Sequence, residues 1–383
     1  MKKILFVSTS DLNTNNFAGD AIRANNIINY LKKKNYVDVI SLTNFKKKII
    51  YEKKGSVYFF KKYNFFIRVF YSLIFLLKLK PLQLGFFYSK DIKEYLKKHN
   101  QKYHTIIFHL MRGAQFLPTN YKGKKILEMT DLMSNNYKQT LNNLNLFNPM
   151  YYLYFLESFL IKKYESKCLN LFDKIVLVTK KDLINNFFLK KKIKFIKNGI
   201  DSAKKVFKHK ETNYKIIFIG NINYLPNKLA CLDFSKNVLP KLNKLYSNIE
   251  FHIIGKLSFL NNLNFIFKKN VKTFGSVAHL QKNLKNAICG ISNLKISTGS
   301  QIKVLTYASY GLPIISSTQS AKRIEYLKHN KDFLKFAGNE DLIKKISLLK
   351  KNKLLSNKLS LNSYNVSNKL NWDNVLKQYE NII

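Results

Sequence analysis

Two domains of the α/β class, each built on a parallel sheet in the Rossmann manner, are predicted by three observations. Short β-rich runs alternate with longer helical stretches along nearly all of the 383 residues, the pattern of strands joined by crossover helices. The alternation starts afresh near Tyr214, after a polar stretch. The length, with 46% hydrophobic and 14% aromatic residues, is enough for two buried cores and excludes a disordered chain.

In the first half the predicted strands are residues 4–7, 37–42, 57–60, 105–109, 126–129 and 174–178. The opening MKKILFVSTS has two lysines before an apolar run that is too short for a signal peptide and lacks a small-residue cleavage site, so it reads as a buried first strand. Residues 21–34 read as a helix, because Ile22, Ile27, Ile28 and Leu31 fall near helical spacing. Asn148 suits an N-cap and Pro149 a first helical position, which starts a second helix running to Leu169. The second series has strands at 215–219, 249–254, 271–274, 287–291 and 312–316. Between the series lie residues 197–201 and a polar stretch to Asn213, so the expected domains are 1–203 and 204–365. A last helical segment, 366–383, carries the apolar stripe Trp372, Val375, Leu376 and Tyr379 and is expected to pack back on the first domain.

Composition narrows the setting. The three cysteines, Cys168, Cys231 and Cys289, are far apart in sequence and odd in number, which fits neither a disulfide framework nor a metal site and favours a reducing cytoplasm. The most lipid-like run, residues 69–77 between Arg68 and Lys78, is far short of the ~20 residues a membrane span needs. The net charge of +45 favours acidic partners. Lysines are spread along the whole chain rather than gathered on one helix, so an anionic membrane surface fits better than nucleic acid. Lys, Asn, Ile and Phe are abundant throughout, which an AT-rich coding sequence alone produces. The apolar residues 65–77 read either as core or as an interfacial helix.

Two Rossmann-like units leave a cleft at the carboxyl ends of their strands, where nucleotides usually bind. The most informative segment is STGSQIKVLTYASYGLPII at 297–315. A strand ending near Ile291 leads through small residues into a helix, and Gly-Leu-Pro then restarts the chain as a strand. Gly299 and Ser300 would let the backbone approach a phosphate at the helix N-terminus. Lys303, about one turn in, would add a point charge to a diphosphate. The alternative is an ordinary helix that opens with small residues.

With these residues the chain resembles the retaining GT-B glycosyltransferases of family 4, the glycosyl transferases group 1, in their exopolysaccharide form. The likeness runs through nearly the whole sequence. Phe17-Ala18-Gly19-Asp20-Ala21-Ile22-Arg23 resembles the family's glycine loop before an arginine-bearing helix. Asn198-Gly199-Ile200-Asp201 resembles its interdomain linker. The run from Ile217 through Gly220, Asn221 and Asn227 resembles its Gly-Ser-Met-x-Tyr-x-Pro-Asn segment, and Phe274-Gly275-Ser276-Val277 its base-side loop. Trp372 stands where the family's last helix crosses back.

The resemblance implies a hexosyl- or other glycosyltransferase, acting with retention on a nucleotide-sugar donor. The acceptor would be a glycan or a lipid-linked glycan in bacterial surface polysaccharide assembly. Donor-binding residues are then Gly19, Asn221, Asn227, Lys228, Thr298, Gly299, Ser300, Lys303 and Thr306. His109, at a strand end, matches the active-site histidine, and Asp131 is a second candidate at the next strand end. Two departures stand out. Thr298 and Thr306 replace the family's paired glutamates, and a threonine cannot supply their charge-assisted bonds. Asn221 and Asn227 replace its Arg and Lys, with Lys228 adjacent. Glu157 and Glu165 read as ordinary helix-face charges. No acidic cluster suits a divalent ion, so neither metal nor other cofactor is expected. The expected location is cytoplasmic, with peripheral residence on the inner face of the membrane. Two rivals remain at this stage: a non-catalytic GT-B-like glycan-binding or scaffold protein, and a basic nucleic-acid-binding protein.

Overall fold

The apolar run at the N-terminus becomes β1 (Lys3–Ser8), buried from Ile4 onward. The computed structural model describes residues 1–13, 19–45, 48–142, 144–178, 180, 192–201, 204–277, 279–295, 297 and 301–383. The chain divides into two compact units: Met1–Lys197 with Val375–Ile383, and Asn198–Asn374.

In the first unit α1 (Gly19–Lys32) follows β1 and buries Ala21, Ala24, Ile27, Ile28 and Leu31, one stripe at helical spacing. Then come β2 (Tyr36–Thr43), β3 (Lys48–Glu52), β4 (Gly55–Lys61), α2 (Phe65–Leu77), α3 (Leu82–Phe86) and α4 (Lys90–His99). The second half holds β5 (Thr105–His109), β6 (Lys124–Thr130), α5 (Met133–Leu141), α6 (Pro149–Leu171), β7 (Lys174–Leu177) and β8 (Ile193–Phe195). The Asn148 side chain accepts the Met150 amide and Pro149 opens α6, as the residue types dictate. The sheet order is β3-β4-β2-β1-β5-β6-β7-β8. All neighbours are parallel except β3 and β4, an antiparallel pair at the edge. Strands buried on both faces, such as Thr105–His109, read as unbroken apolar runs because helices cover both sides. Their side chains form a core that includes Leu5, Val7, Ile106, Phe108, Leu127 and Ile175. Phe108 meets Phe172 edge-on at 5.7 Å. Each such large side chain contributes about 1.5–3 kcal/mol on burial.

Residues 375–383 belong to this unit. Tyr379 is fully buried and donates to the Glu128 carboxylate. Glu128 also accepts from Arg23 Nε at 3.0 Å, and the Arg23 guanidinium donates to the carbonyls of Ile196 and Lys197 at 2.9 Å each. Burial opposes the Arg23 charge, but Glu128 raises its pKa. Glu380 accepts from Tyr30 at 2.6 Å and from Lys34 at 2.8 Å.

The second unit carries β9 (Lys215–Ile219), α7 (Leu225–Asp233), α8 (Leu239–Leu245), β10 (Glu250–Ile254), α9 (Phe259–Asn262), β11 (Val271–Phe274), α10 (Leu280–Leu284) and β12 (Ala287–Ser292). It continues with α11 (Ile302–Ser309), β13 (Ile314–Ser317), α12 (Thr318–Ala321), β14 (Leu334–Phe336), α13 (Gly338–Lys351) and α14 (Lys353–Asn368), and the division between the units falls within α15 (Trp372–Leu376). The sheet is wholly parallel, in the order β11-β10-β9-β12-β13-β14. Gly311 ends α11 with φ of +68°, a left-handed conformation that favours glycine. Within this unit Trp372 closes over Gly199, where an added Cβ would come within 2.7 Å of the indole.

Both sheets reverse direction at one point. In the first the chain leaves β1 toward β2 on one side and later returns to β5 on the other; in the second, β9 and β12 play the same parts. The carboxyl ends at such switch points are where open α/β sheets bind ligands.

Candidate functional site

The switch point of the first sheet lies at Ser8 and His109, which are register partners at the ends of β1 and β5. His109 is fully buried, beside the Phe6 ring at 5.6 Å. Its Nδ1 lies 3.1 Å from the Ser8 Oγ, which also accepts the Ser10 amide at 3.1 Å. When the serine hydroxyl donates to Nδ1 the ring proton lies on Nε2, and when Nδ1–H donates to the hydroxyl Nε2 is an acceptor. Nε2 is buried and has no hydrogen-bond partner among the described residues. Burial pushes the His109 pKa down to about 3, with Arg112 and Arg23 adding to the fall and Asp20 opposing it. The imidazole is therefore neutral at physiological pH and offers an unused ring nitrogen.

Around it stands a charged pair that sequence reasoning missed. Arg112 follows β5 in a short 3₁₀ turn, Met111–Phe116, and donates from Nε to Thr9 Oγ1 at 2.7 Å and from Nη2 to Ser10 Oγ at 3.0 Å. The same Nη2 lies 3.5 Å from the Asp20 carboxylate, which accepts the Ser10 hydroxyl at 2.5 Å. Burial alone would raise the Asp20 pKa. The Ser10 hydrogen bond, with His109, Arg112 and the Ala21 amide, brings it below the usual carboxylate value instead. The Arg112 guanidinium also sits 4.1 Å from the centre of the Phe87 ring. Gly19 opens α1 directly before Asp20, which fixes that carboxylate at the helix start.

The backbone here is strained. Leu110, immediately after His109, has φ 65° and ψ 154°, a region almost confined to glycine that costs about 1–3 kcal/mol. Thr130, immediately before Asp131, has φ of +70°. Strain of this kind persists where the surroundings over-determine it. Here the Leu110 amide is held by the Glu128 carbonyl at 2.8 Å. Asp131 is half-buried at the end of β6, and its charge acts on Arg23.

In the second unit α11 is pinned across the switch point. The Tyr307 hydroxyl accepts the Ile219 amide at 2.9 Å and donates to the Ile291 carbonyl at 3.0 Å, tying the ends of β9 and β12 together. An added Cβ on Gly290 would lie 2.5 Å from the Tyr307 ring, so only glycine admits it there. Lys303 is one turn before Tyr307 on the same helix face. Its ammonium donates to Asn227 Oδ1 at 2.7 Å and sits 4.4 Å from the centre of the Phe218 ring. Asn227 in turn donates to the Asn221 carbonyl at 2.9 Å. The side chain as a whole is only half-buried, yet loss of water around the ammonium pushes its pKa down to about 7. Among the described residues Lys303 forms no salt bridge with a carboxylate.

The expected donor residues Lys303, Asn227 and Asn221 thus come together. Lys228 is half-buried on α7, and no hydrogen bond or ion pair joins it to Lys303. Thr306 turns its hydroxyl back to the Ile302 carbonyl at 3.1 Å. Thr298, Gly299 and Ser300 lie outside the described residues. Beside them, Gln301 is held by Ser297 at 2.8 Å and by Ser292 at 3.3 Å. No group of three or more His, Cys, Asp or Glu side chains placed to hold a metal ion occurs among the described residues.

Glu157 and Glu165, read from sequence as surface charges, are both buried. Glu157 accepts the Leu82 and Gln83 amides at 2.8 and 3.1 Å, capping the start of α3, and Glu165 accepts the Ser134 amide at 3.2 Å and its hydroxyl at 2.5 Å. Their spacing of eight sets them on the face of Ile161 and Cys168. Leu160 and Leu169 are buried with them, while Tyr152, Phe155, Leu156 and Phe159 lie outside.

Residues 213–352, within the second unit, match the family described as glycosyl transferases group 1. No curated protein matches the chain in sequence. Solved structures resemble it over its full length. Sucrose-phosphate synthase from Thermosynechococcus elongatus has a TM-score of 0.72 and 12% identity, with 100% of this chain and 98% of that one covered. TarM has a TM-score of 0.67 and 13% identity, with the same coverage. Anabaena HepE in complex with UDP-glucose has a TM-score of 0.67 and 11% identity, covering 100% and 99%. At these identities the likeness is one of fold, and the fold is GT-B: two Rossmann-like domains on parallel sheets.

Proposed function

We propose that this chain is a metal-independent glycosyltransferase of the retaining family 4 type. It moves a sugar from a nucleotide-sugar donor to a glycan or lipid-linked acceptor in bacterial surface polysaccharide assembly. The observation that carries the reading is Lys303, a desolvated ammonium at a sheet switch point held by the Asn227 amide oxygen, with no carboxylate against it among the described residues. A diphosphate supplies the missing negative charge. The family match over residues 213–352 and the UDP-glucose complex of HepE support a nucleotide-sugar donor. Retention, the exopolysaccharide role and a cytoplasmic site at the inner membrane face follow from the sequence resemblance.

In this reading the second domain is the donor side. The diphosphate lies at the start of α11, on Lys303 with Lys228 nearby and Asn221, Asn227 and residues 298–300 around it. As the bond between the sugar and the phosphate breaks, negative charge grows on the departing nucleoside diphosphate. Fixed cations and free amides there stabilise the transition state. The first domain is the acceptor side. Its His109 offers the Nε2 of a neutral ring toward the hydroxyls of the sugar, with Asp131 and Gly19 at the same strand ends. Thr306, whose hydroxyl is spent on its own helix, supplies no charge-assisted bond to the donor. That favours weak donor binding, or in the second reading a glycan-binding protein without turnover.

A panel of UDP-, GDP- and dTDP-sugars tests both readings. At least one is expected to raise the melting temperature and to release nucleoside diphosphate, with release abolished by Lys303→Ala. Stabilisation without release by any donor would leave the non-catalytic reading standing instead.

A further inference from the structure

α2 has its polarity turned inside out, and α6 carries an apolar patch on its outer side. α2 is apolar at all but two of its positions, yet its one buried residue is Ser72. Phe65, Phe66, Val69, Phe70, Leu73 and Leu77 are exposed, Phe66 by 82% and Leu77 by 85%. In α6 the buried face sets Glu157 and Glu165 among Leu160, Ile161, Cys168 and Leu169, while Tyr152, Phe155, Leu156 and Phe159 are exposed. Helical spacing sets those four on a single face. Phe147, just before the helix, is 93% exposed. Further along the outer side of α6, Lys162, Lys163 and Lys167 take over. The two helices are tied through α3: Glu157 caps its start, and Arg68 of α2 donates to the Phe86 carbonyl at 2.9 Å. Past the end of α2, Lys80 is near enough to Lys167, Lys78 and Lys93 to feel their charges.

Charge singles out the occupant. No acidic residue occurs between Glu52 and Asp91, or between Asp131 and Glu157. The two carboxylates within α6 face inward and are used up on the protein's own amides and a hydroxyl. What remains outside is apolar residues followed by lysines. Aromatic and aliphatic groups sink into the headgroup boundary while lysines reach headgroup phosphates, and the two effects add.

We propose that α2 and the first three turns of α6 form one docking surface for an anionic phospholipid leaflet, with Lys78, Lys80, Lys162, Lys163 and Lys167 on the headgroups. The inference rests on the membrane reading above and extends it to a second helix. No helix among the described residues is long and apolar enough to span a membrane, so the contact lies in the interface.

The test is co-sedimentation of the full chain with phosphatidylcholine vesicles, with and without phosphatidylglycerol. The parent is expected to bind only the anionic vesicles. Phe155→Ser with Phe159→Ser, and separately Phe66→Ser with Phe70→Ser, should each weaken partitioning about tenfold or more, as loss of buried aromatic area implies. Phe259→Ser with Phe267→Ser, equally exposed residues of the second unit, should change it less than about twofold. Should the α6 pair unfold, Phe155→Trp decides: quenching by brominated lipid is expected there and not with Phe259→Trp. Unchanged binding by the α6 pair, or no quenching at residue 155, overturns the second helix and leaves α2. No vesicle binding by the parent overturns both. A dimer in lipid-free buffer that the α6 pair dissolves makes a second copy of the chain the occupant and overturns the lipid. Nucleoside diphosphate binding should be the same in all these variants, so the donor reading stands or falls separately.

Discussion

The two switch points handle buried charge in opposite ways. In the first unit the two buried arginines at the site each have an internal carboxylate: Arg23 has Glu128, and Arg112 has Asp20. The unused nitrogen there, His109 Nε2, belongs to a neutral ring. In the second unit Lys303 has a neutral amide for company and no counter-ion among the described residues. A paired site is finished before any ligand arrives and can hold a donor atom in fixed geometry. An unpaired one carries an unfavourable desolvation that an anionic ligand relieves, so part of the donor's affinity comes from correcting an existing imbalance.

Breaking the pairing should have the largest effect. Glu128→Ala leaves the Arg23 guanidinium buried without its carboxylate and is expected to destabilise the first unit by about 3–5 kcal/mol in chemical denaturation. A loss below about 1 kcal/mol would mean the pair is neutralised by other groups. Next, His109→Ala should lower turnover by roughly 100-fold, the scale of losing one preorganised donor, while nucleoside diphosphate affinity measured by calorimetry holds. Equal turnover in mutant and parent would return His109 to a packing role.

Lys303→Ala should weaken donor binding by about 1.5–3 kcal/mol, the value of a charge-assisted bond. It should leave the melting temperature unchanged or slightly raised, because it removes a desolvated cation. Opposite signs of the stability change in Glu128→Ala and Lys303→Ala would be the clearest statement of the contrast between the units. Unchanged donor affinity would remove Lys303 from the site.

The smallest effects are in pH. The Lys303 pKa lies near 7 in the folded chain, below its ordinary 10.5, so its free ammonium loses its proton as pH rises through 7. Donor affinity should fall above that pH, with proton uptake on binding, and Lys303→Arg should flatten the profile. For His109 the folded pKa of about 3 lies below the ordinary 6.5. Between those values the unfolded chain binds more protons, so the stability present above pH 6.5 is lost as pH falls toward 3. His109→Gln should make that acid slope shallower, and an unaltered slope would show that His109 is not what titrates.

Much of the architecture was legible because double burial writes itself as unbroken apolar runs. Strands 105–109 and 215–219 fall where the sequence puts them. β3, exposed at every position, carries no such signature, and β8 and β14 are only three residues long. Lys303 could be found because one segment holds both the turn and the cation. Arg112, Ser10 and Asp20 could not, since their pairing joins segments about 100 residues apart and no local pattern marks it. Glu157 and Glu165 were misjudged for a related reason. A carboxylate on a helix is read as exposed unless its phase is compared with the neighbours, and their phase is that of Ile161 and Cys168. In α6 the surest sign of the unusual outer surface was the position of its acids.

The buried contact between Tyr379 and the Arg23–Glu128 pair also sets an order of events in biosynthesis. Domains commonly fold as they leave the ribosome, N-terminal one first. Here the polar centre of the first unit receives its last hydroxyl from residues 375–383, made after the whole second unit. The first unit therefore waits with its Arg23–Glu128 centre incomplete while some 180 intervening residues are translated, ~10–40 s at ordinary elongation rates. During that interval the nascent chain is at its most exposed to proteases and holdases, and the docking of residues 375–383 is the step that ends it.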